Sequence, residues 1–137
     1  MNLNRLFATF VAKPNLQSAI LLIARALLAY LFIVAGWAKI GGYAGTTAFM
    51  ASKGIPEFML SLVIALELGG GLAILIGFQT RIIALIIAIF CVMSAIIFHG
   101  TPEDATSFMK NLSIAGGFLA LIPQGAGLWS LDHWLEK

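Results

Sequence analysis

Arg25 and Glu67 each interrupt a run of apolar residues long enough to cross a membrane. A charge near the centre of such a span costs roughly 2.5–3.5 kcal/mol on insertion scales, so the two left alone would cost about 5–7 kcal/mol. Ionisable groups at that depth mark ligand sites, proton paths or helix-docking pairs. Four further side chains add donors and ring surfaces: the Lys39 ammonium, the His99 imidazole, the Trp37 indole and the Tyr43 phenol. Cys91 is the single cysteine, which excludes an internal disulfide and any multi-cysteine cluster, and its apolar context reads as packing. With His99 and His133 as the two histidines, no metal centre is expected.

These residues must be carried by elements that live in lipid. Of the 137 residues, 61% are apolar and 10% charged, against about 45–50% and about 25% in soluble domains. Eight basic and six acidic side chains cannot cover a water-facing surface, so a soluble monomer is excluded. The net charge of +2 is too small for a nucleic-acid partner. The pattern predicts an all-α, integral membrane four-helix bundle in one domain, with the lipid bilayer as its partner. The spans fall at about 18–40, 57–78, 82–99 and 106–122, the first capped from Asn15–Ser18 and the last stopping before Pro123. Gly41, Gly42, Gly45, Gly54 and Pro56 mark a long loop after the first span, and Gln79–Thr80 a tight turn.

Short interfacial amphipathic segments are expected at both termini. Leu3, Leu6, Phe7, Phe10 and Val11 recur at helical spacing before Pro14, and Lys13–Pro14 follows where a signal peptide would carry small residues, so the segment is expected to be retained. Near the other end Leu128, Trp129, Leu131, Trp134 and Leu135 alternate with charged positions. An even number of spans places both termini on one side with Arg81. Arg5, Lys13, Arg81 and Lys137 there outnumber Lys39, Lys53 and Lys110 by one, which favours cytoplasmic termini.

Depth and face then bring residues together. At 1.5 Å per residue, Arg25 and Glu67 differ in depth by about 6 Å if the ends of the first two spans are flush, so they are expected to form an ion pair. That pair could serve as a docking device or as a ligand or proton site. Arg25, Phe32, Gly36 and Lys39 fall on a stripe about 60° wide, and Gly70 and Gly71 leave the turn after Glu67 open to close approach. Ala84, Ala88, Cys91, Ala95 and His99 form a small-residue face ending in an imidazole, on the Lys39 side of the membrane. Small-residue faces on two helices leave homodimerisation open.

The ordered set Arg25-x-x-Leu28, Gly36-x-x-Lys39, Glu67-x-x-Gly70-Gly71, Gly77-x-x-Thr80-Arg81, Lys110-Asn111 and Ser130-Leu131-Asp132 resembles the DoxX family of small bacterial inner-membrane proteins. The likeness runs from about Gln17 to Asp132 and departs at Ala29, where the family often has glycine. It implies a four-span bundle in the inner membrane, with Arg25, Gly36, Lys39, Glu67, Gly70, Gly71 and Arg81 as shared positions. It also implies an association with quinone-dependent redox complexes, such as a thiosulfate:quinone oxidoreductase, or with oxidative-stress complexes. A bound quinone would need a flat apolar slot and donors for its two carbonyls. Arg25, Glu67, Lys39, His99, Trp37 and Tyr43 are the residues expected to line it. The chain has no self-sufficient catalytic constellation, so a soluble or membrane redox partner is expected. Two alternatives stay open: a carrier of protons or small solutes, and a scaffold or assembly factor for a membrane enzyme.

Overall fold

Pro14, with its fixed φ and no N–H to leave unpaired, sits in the first turn of the longest helix, α2 (Pro14–Gly41). In this computed structural model, which describes residues 2–137, the other elements are α1 (Leu3–Val11), α3 (Tyr43–Ser52), α4 (Phe58–Ile76), α5 (Thr80–Phe98), α6 (Ala105–Gln124) and α7 (Leu131–Leu135). A 3-10 turn, Pro102–Asp104, leads into α6, and there is no strand among the described residues. The helices α2, α4, α5 and α6 with its leading turn are long and apolar enough to cross a membrane. The chain is an all-α membrane bundle.

Three expectations about boundaries need correction. The first span begins at Pro14 and not near Ser18, and Ser18 does not cap it. The Ser18 hydroxyl donates to the Pro14 carbonyl at 2.7 Å and accepts the Leu128 N–H at 3.3 Å. The glycine-marked loop after the first span contains α3, because contacts with α2 and α4 hold a helix there despite weak local preference. The last helix runs through Pro123 to Gln124, where Arg81 Nη1 donates to the carbonyls of Ile122 (2.5 Å) and Pro123 (2.9 Å) and so closes the helix end.

The spans pack as two antiparallel pairs, α2 with α4 and α5 with α6. In lipid such pairing relies on close van der Waals fit, which favours small residues at the contact. The buried residues of α2 are Ser18, Arg25, Ala29, Phe32 and Gly36, which contain the expected stripe except for Lys39 at its partly exposed end. A Cβ on Gly36 would lie 2.8 Å from the backbone nitrogen of Leu68, so this glycine is what lets α2 and α4 touch backbone to backbone. Ala84, Ala88, Cys91 and Ala95 form the buried face of α5. Phe32 and Phe118 meet edge to face at 5.4 Å in the centre of the apolar core. The helix α1 buries none of its residues, and Leu3, Leu6, Phe7 and Phe10 stay exposed, as an amphipathic helix on a membrane surface requires.

The final segment closes one end of the bundle. Gly77 ends α4 in the left-handed region (φ +73°), with the Phe78 N–H returning to the Ala73 carbonyl at 2.8 Å. Gln79 follows at φ +48°, and its N–H and that of Thr80 are both taken by the Asp132 carboxylate, at 2.6 and 2.9 Å. Asp132 in turn donates its backbone N–H to the Gly77 carbonyl at 2.8 Å.

A Cβ at Gly77 would run into Arg25 Nη1 and the Ser130 side chain, on top of its left-handed backbone. Gly77→Ala should therefore lower stability in detergent by more than about 1 kcal/mol. Gly45→Ala, with nothing within 4 Å, should be neutral or slightly stabilising. Thermal unfolding followed by circular dichroism checks this, and equal effects at the two positions would contradict it.

Candidate functional site

Arg25 and Glu67 do not meet. The flush-end assumption fails because α2 runs on roughly 20 Å beyond the end of α4: Gly36 stands against Glu67 and Leu68 and Ile33 against Gly71, and the Arg25 side chain reaches the carbonyls of Ile74 and Leu75. The guanidinium is fully buried, with both terminal nitrogens bound to carbonyls and Nε left without a partner. Its Nη1 donates to Leu75 at 2.8 Å and, more weakly, to Ile74 at 3.4 Å, while Nη2 donates to Trp129 at 2.6 Å. Carbonyls of the last turn of a helix have no partner within it, and a cation beside them also complements the helix dipole. Arg25 is thus a cross-link between α2, the end of α4 and the final segment.

Glu67 pairs instead with Lys39. The ammonium Nζ donates to Oε1 at 3.0 Å and lies 2.8 Å from Oε2. The ammonium thus reaches both oxygens of the buried carboxylate. Glu67 is 6% exposed and stands in a π-helical turn, Ala65–Gly70, an interruption of the ordinary helix often found at functional sites. Lys39 occupies the last turn of α2, so its charge reaches inward from near the membrane surface while its stem packs along the helix.

The pair opens on a cavity of about 190 Å³ in the half of the bundle away from the termini. Its other walls are Thr46, Phe49 and Met50 of α3, Val63 of α4, Phe90, Ser94 and Phe98 of α5, and His99. Phe49 and Phe98 are stacked with centroids 5.6 Å apart, which ties α3 to the end of α5. The His99 Nδ1 sits 2.9 Å from Asp104 Oδ2, fixing the ring at the cavity edge.

Of the six residues expected at a site, three converge: Lys39, Glu67 and His99. Arg25 lies toward the opposite end, Trp37 is 70% exposed on the outside of α2, and the Tyr43 hydroxyl bonds Ser61 at 3.2 Å on the exterior. The walls from α3 were overlooked because that stretch reads as loop, although Thr46, Phe49 and Met50 carry the i, i+3, i+4 spacing of a helix face. Phe90, Ser94 and Phe98 stand at i, i+4, i+8 beside the alanine face of α5, a signal present in the chain. Among the described residues no three His, Cys, Asp or Glu side chains gather as metal ligands would.

A bundle of four membrane helices with a lysine–carboxylate pair beside a small internal cavity defines a compact multi-pass membrane protein. The chain belongs to the DoxX family, which matches residues 20–100. It is similar to "Inner membrane protein YqjF" of Escherichia coli (strain K12), 51% identical over 126 residues covering 90% of this chain and 97% of that protein. "Inner membrane protein YphA" of the same organism is 37% identical over 143 residues, covering 97% and 99% of the two chains. "Putative oxidoreductase CatD" of Bacillus subtilis (strain 168) is 37% identical over 112 residues, covering 74% and 84%. No solved structure matches the chain.

Double-mutant cycles separate the two polar clusters. Lys39→Met and Glu67→Gln should couple, because either change alone strands a charged partner in a poorly hydrated site. Arg25→Met and Glu67→Gln should add within about 0.5 kcal/mol, as independent sites do. Coupling of Arg25 to Glu67 in detergent unfolding would restore the direct pair.

Proposed function

We propose that the chain is a small inner-membrane subunit of a quinone-linked redox or oxidative-stress system, and that the cavity beside Lys39 and Glu67 receives the quinone ring. The observation that carries this reading is the largely buried Lys39–Glu67 ion pair, whose two residues form part of the cavity wall. The hydroxyl of a reduced ring donates to the Glu67 carboxylate, and a remaining proton of the Lys39 ammonium donates to a ring carbonyl in the oxidised form. Phe49, Phe90 and Phe98 supply the apolar surface. A volume of about 190 Å³ is below the roughly 300–1,000 Å³ of sites for drug-sized ligands, so it suits one substituted ring whose tail leaves toward lipid.

The chain's part is to hold the ring and present a proton acceptor, with electron exchange left to a partner redox enzyme. The family membership and the oxidoreductase name given to the Bacillus subtilis relative support the redox setting. A carrier reading has less support, since the Phe32–Phe118 contact and the surrounding apolar core separate the Arg25 cluster from the Lys39–Glu67 cavity. Inner-membrane residence follows the names of the two Escherichia coli relatives.

Thermal unfolding of the detergent-purified protein with a short-tailed quinone and its quinol tests the reading. At 100-fold excess over the dissociation constant, stabilisation of about 2.7 kcal/mol is expected. Glu67→Gln should remove most of it for the quinol, while Trp37→Phe, on the outer surface, should leave it intact. Absence of protection by either redox form overturns the proposal and leaves the scaffold reading in its place.

A further inference from the structure

A second cavity, of about 410 Å³, occupies the opposite end of the bundle and serves none of the chemistry above. It lies where α2 begins, α4 gives way to α5, and α6 ends, so it sits level with the headgroups when the four spans are in a bilayer. Around it, Leu128, Trp129, Trp134 and Leu135 are exposed apolar side chains of the kind that settle at the membrane interface. The wall itself is polar and carries both signs of charge, with Gln17, Thr80, Arg81, Gln124, His133 and Glu136 among its residues.

Two features of that wall point to a ligand. Arg81 spends only Nη1 on protein carbonyls, and its guanidinium lies flat over Gly125, so Nε and Nη2 keep donors free. Glu136 makes no ion pair among the described residues, whereas Asp132 is committed to the N–H groups of Gln79 and Thr80. A free phosphate dianion would meet both carboxylates without compensation. A headgroup holding a phosphate and an ammonium in one short unit matches the wall at both signs.

We propose that this cavity binds the headgroup of a zwitterionic aminophospholipid. The phosphate oxygens accept from Arg81 and the glutamine amides, and the primary ammonium donates to Glu136. The acyl chains run down the outer surface beside the exposed tryptophans. Because Arg81 also closes the end of α6, and the final segment is itself bound by Arg25, a lipid held here would brace the same end of the bundle.

The test compares thermal unfolding of the full chain, delipidated in detergent, after adding phosphatidylethanolamine, phosphatidylcholine, phosphatidylglycerol or inorganic phosphate. Phosphatidylethanolamine should bind tightest, and Glu136→Gln should erase about threefold to fivefold of that preference, the range open to one partly solvated ion pair. Glu136→Gln should leave lipid-free stability unchanged, because the Glu136 side chain makes no hydrogen bond among the described residues. Arg81→Gln should weaken all three phospholipids. Equal stabilisation by the three lipids, protection by inorganic phosphate alone, or a preference that survives Glu136→Gln would each overturn the assignment.

Discussion

A backbone carbonyl in hydrocarbon has no water to turn to, and the architecture turns on how Arg25 meets that need. One guanidinium, itself too costly to leave unpaired, satisfies carbonyls at the end of α4 and one in the final segment. The two needs largely offset one another there, with Arg25 Nε the one nitrogen left unpaired. Asp132 does the complementary work a few residues away, with a carboxylate on the N–H groups that open α5. The last dozen residues are therefore wired to α2 and to the start of α5 by charge-assisted hydrogen bonds, which are stronger than neutral ones and keep their strength where water is scarce, and to the end of α4 by the Asp132 N–H.

This arrangement divides the molecule by polarity. Toward the termini, charges are spent on backbone groups and hold segments in place. Across an apolar middle layer built on Phe32, Phe118, Ile87 and Cys91, the Lys39–Glu67 pair faces a void. A lysine–carboxylate pair does less for stability than its Coulomb attraction suggests, since both ions give up solvation. Its placement on the wall of a cavity is what separates it from the Arg25 cluster, whose bonds go to backbone carbonyls.

Much of the fold was legible because lipid imposes coarse rules. Missing charges located the spans, and the stripe from Arg25 to Lys39 named the inward face of α2 with Phe32 and Gly36 within it. Relative sliding of helices was not legible. Nothing in the local sequence says that α2 overhangs α4, because the overhang is filled by Ser18 and Leu21 packing against Gly127 and Leu128, more than a hundred residues away. That offset is why Arg25 and Glu67 part company. The helix α3 was hidden for a related reason: glycines at 41, 42, 45 and 54 suggest a loop, and only its packing against the neighbouring spans tips the balance.

The wide turn at Ala65–Gly70 carries a consequence for how the family's chains can change. A π turn accommodates one residue more than an α turn, so the residues after it are out of phase with those before. Deleting a single residue between Ala65 and Gly70 would restore ordinary pitch and leave the two halves of α4 facing as they do now, because the wide turn already absorbs the extra residue. A deletion in the ordinary α-helical part of the span would instead swing one half by about 100° and turn Leu60 or Ile74, both wholly buried, toward lipid. The carboxylate thus stands at the one place in the span where a change of length need not disturb the packing on either side.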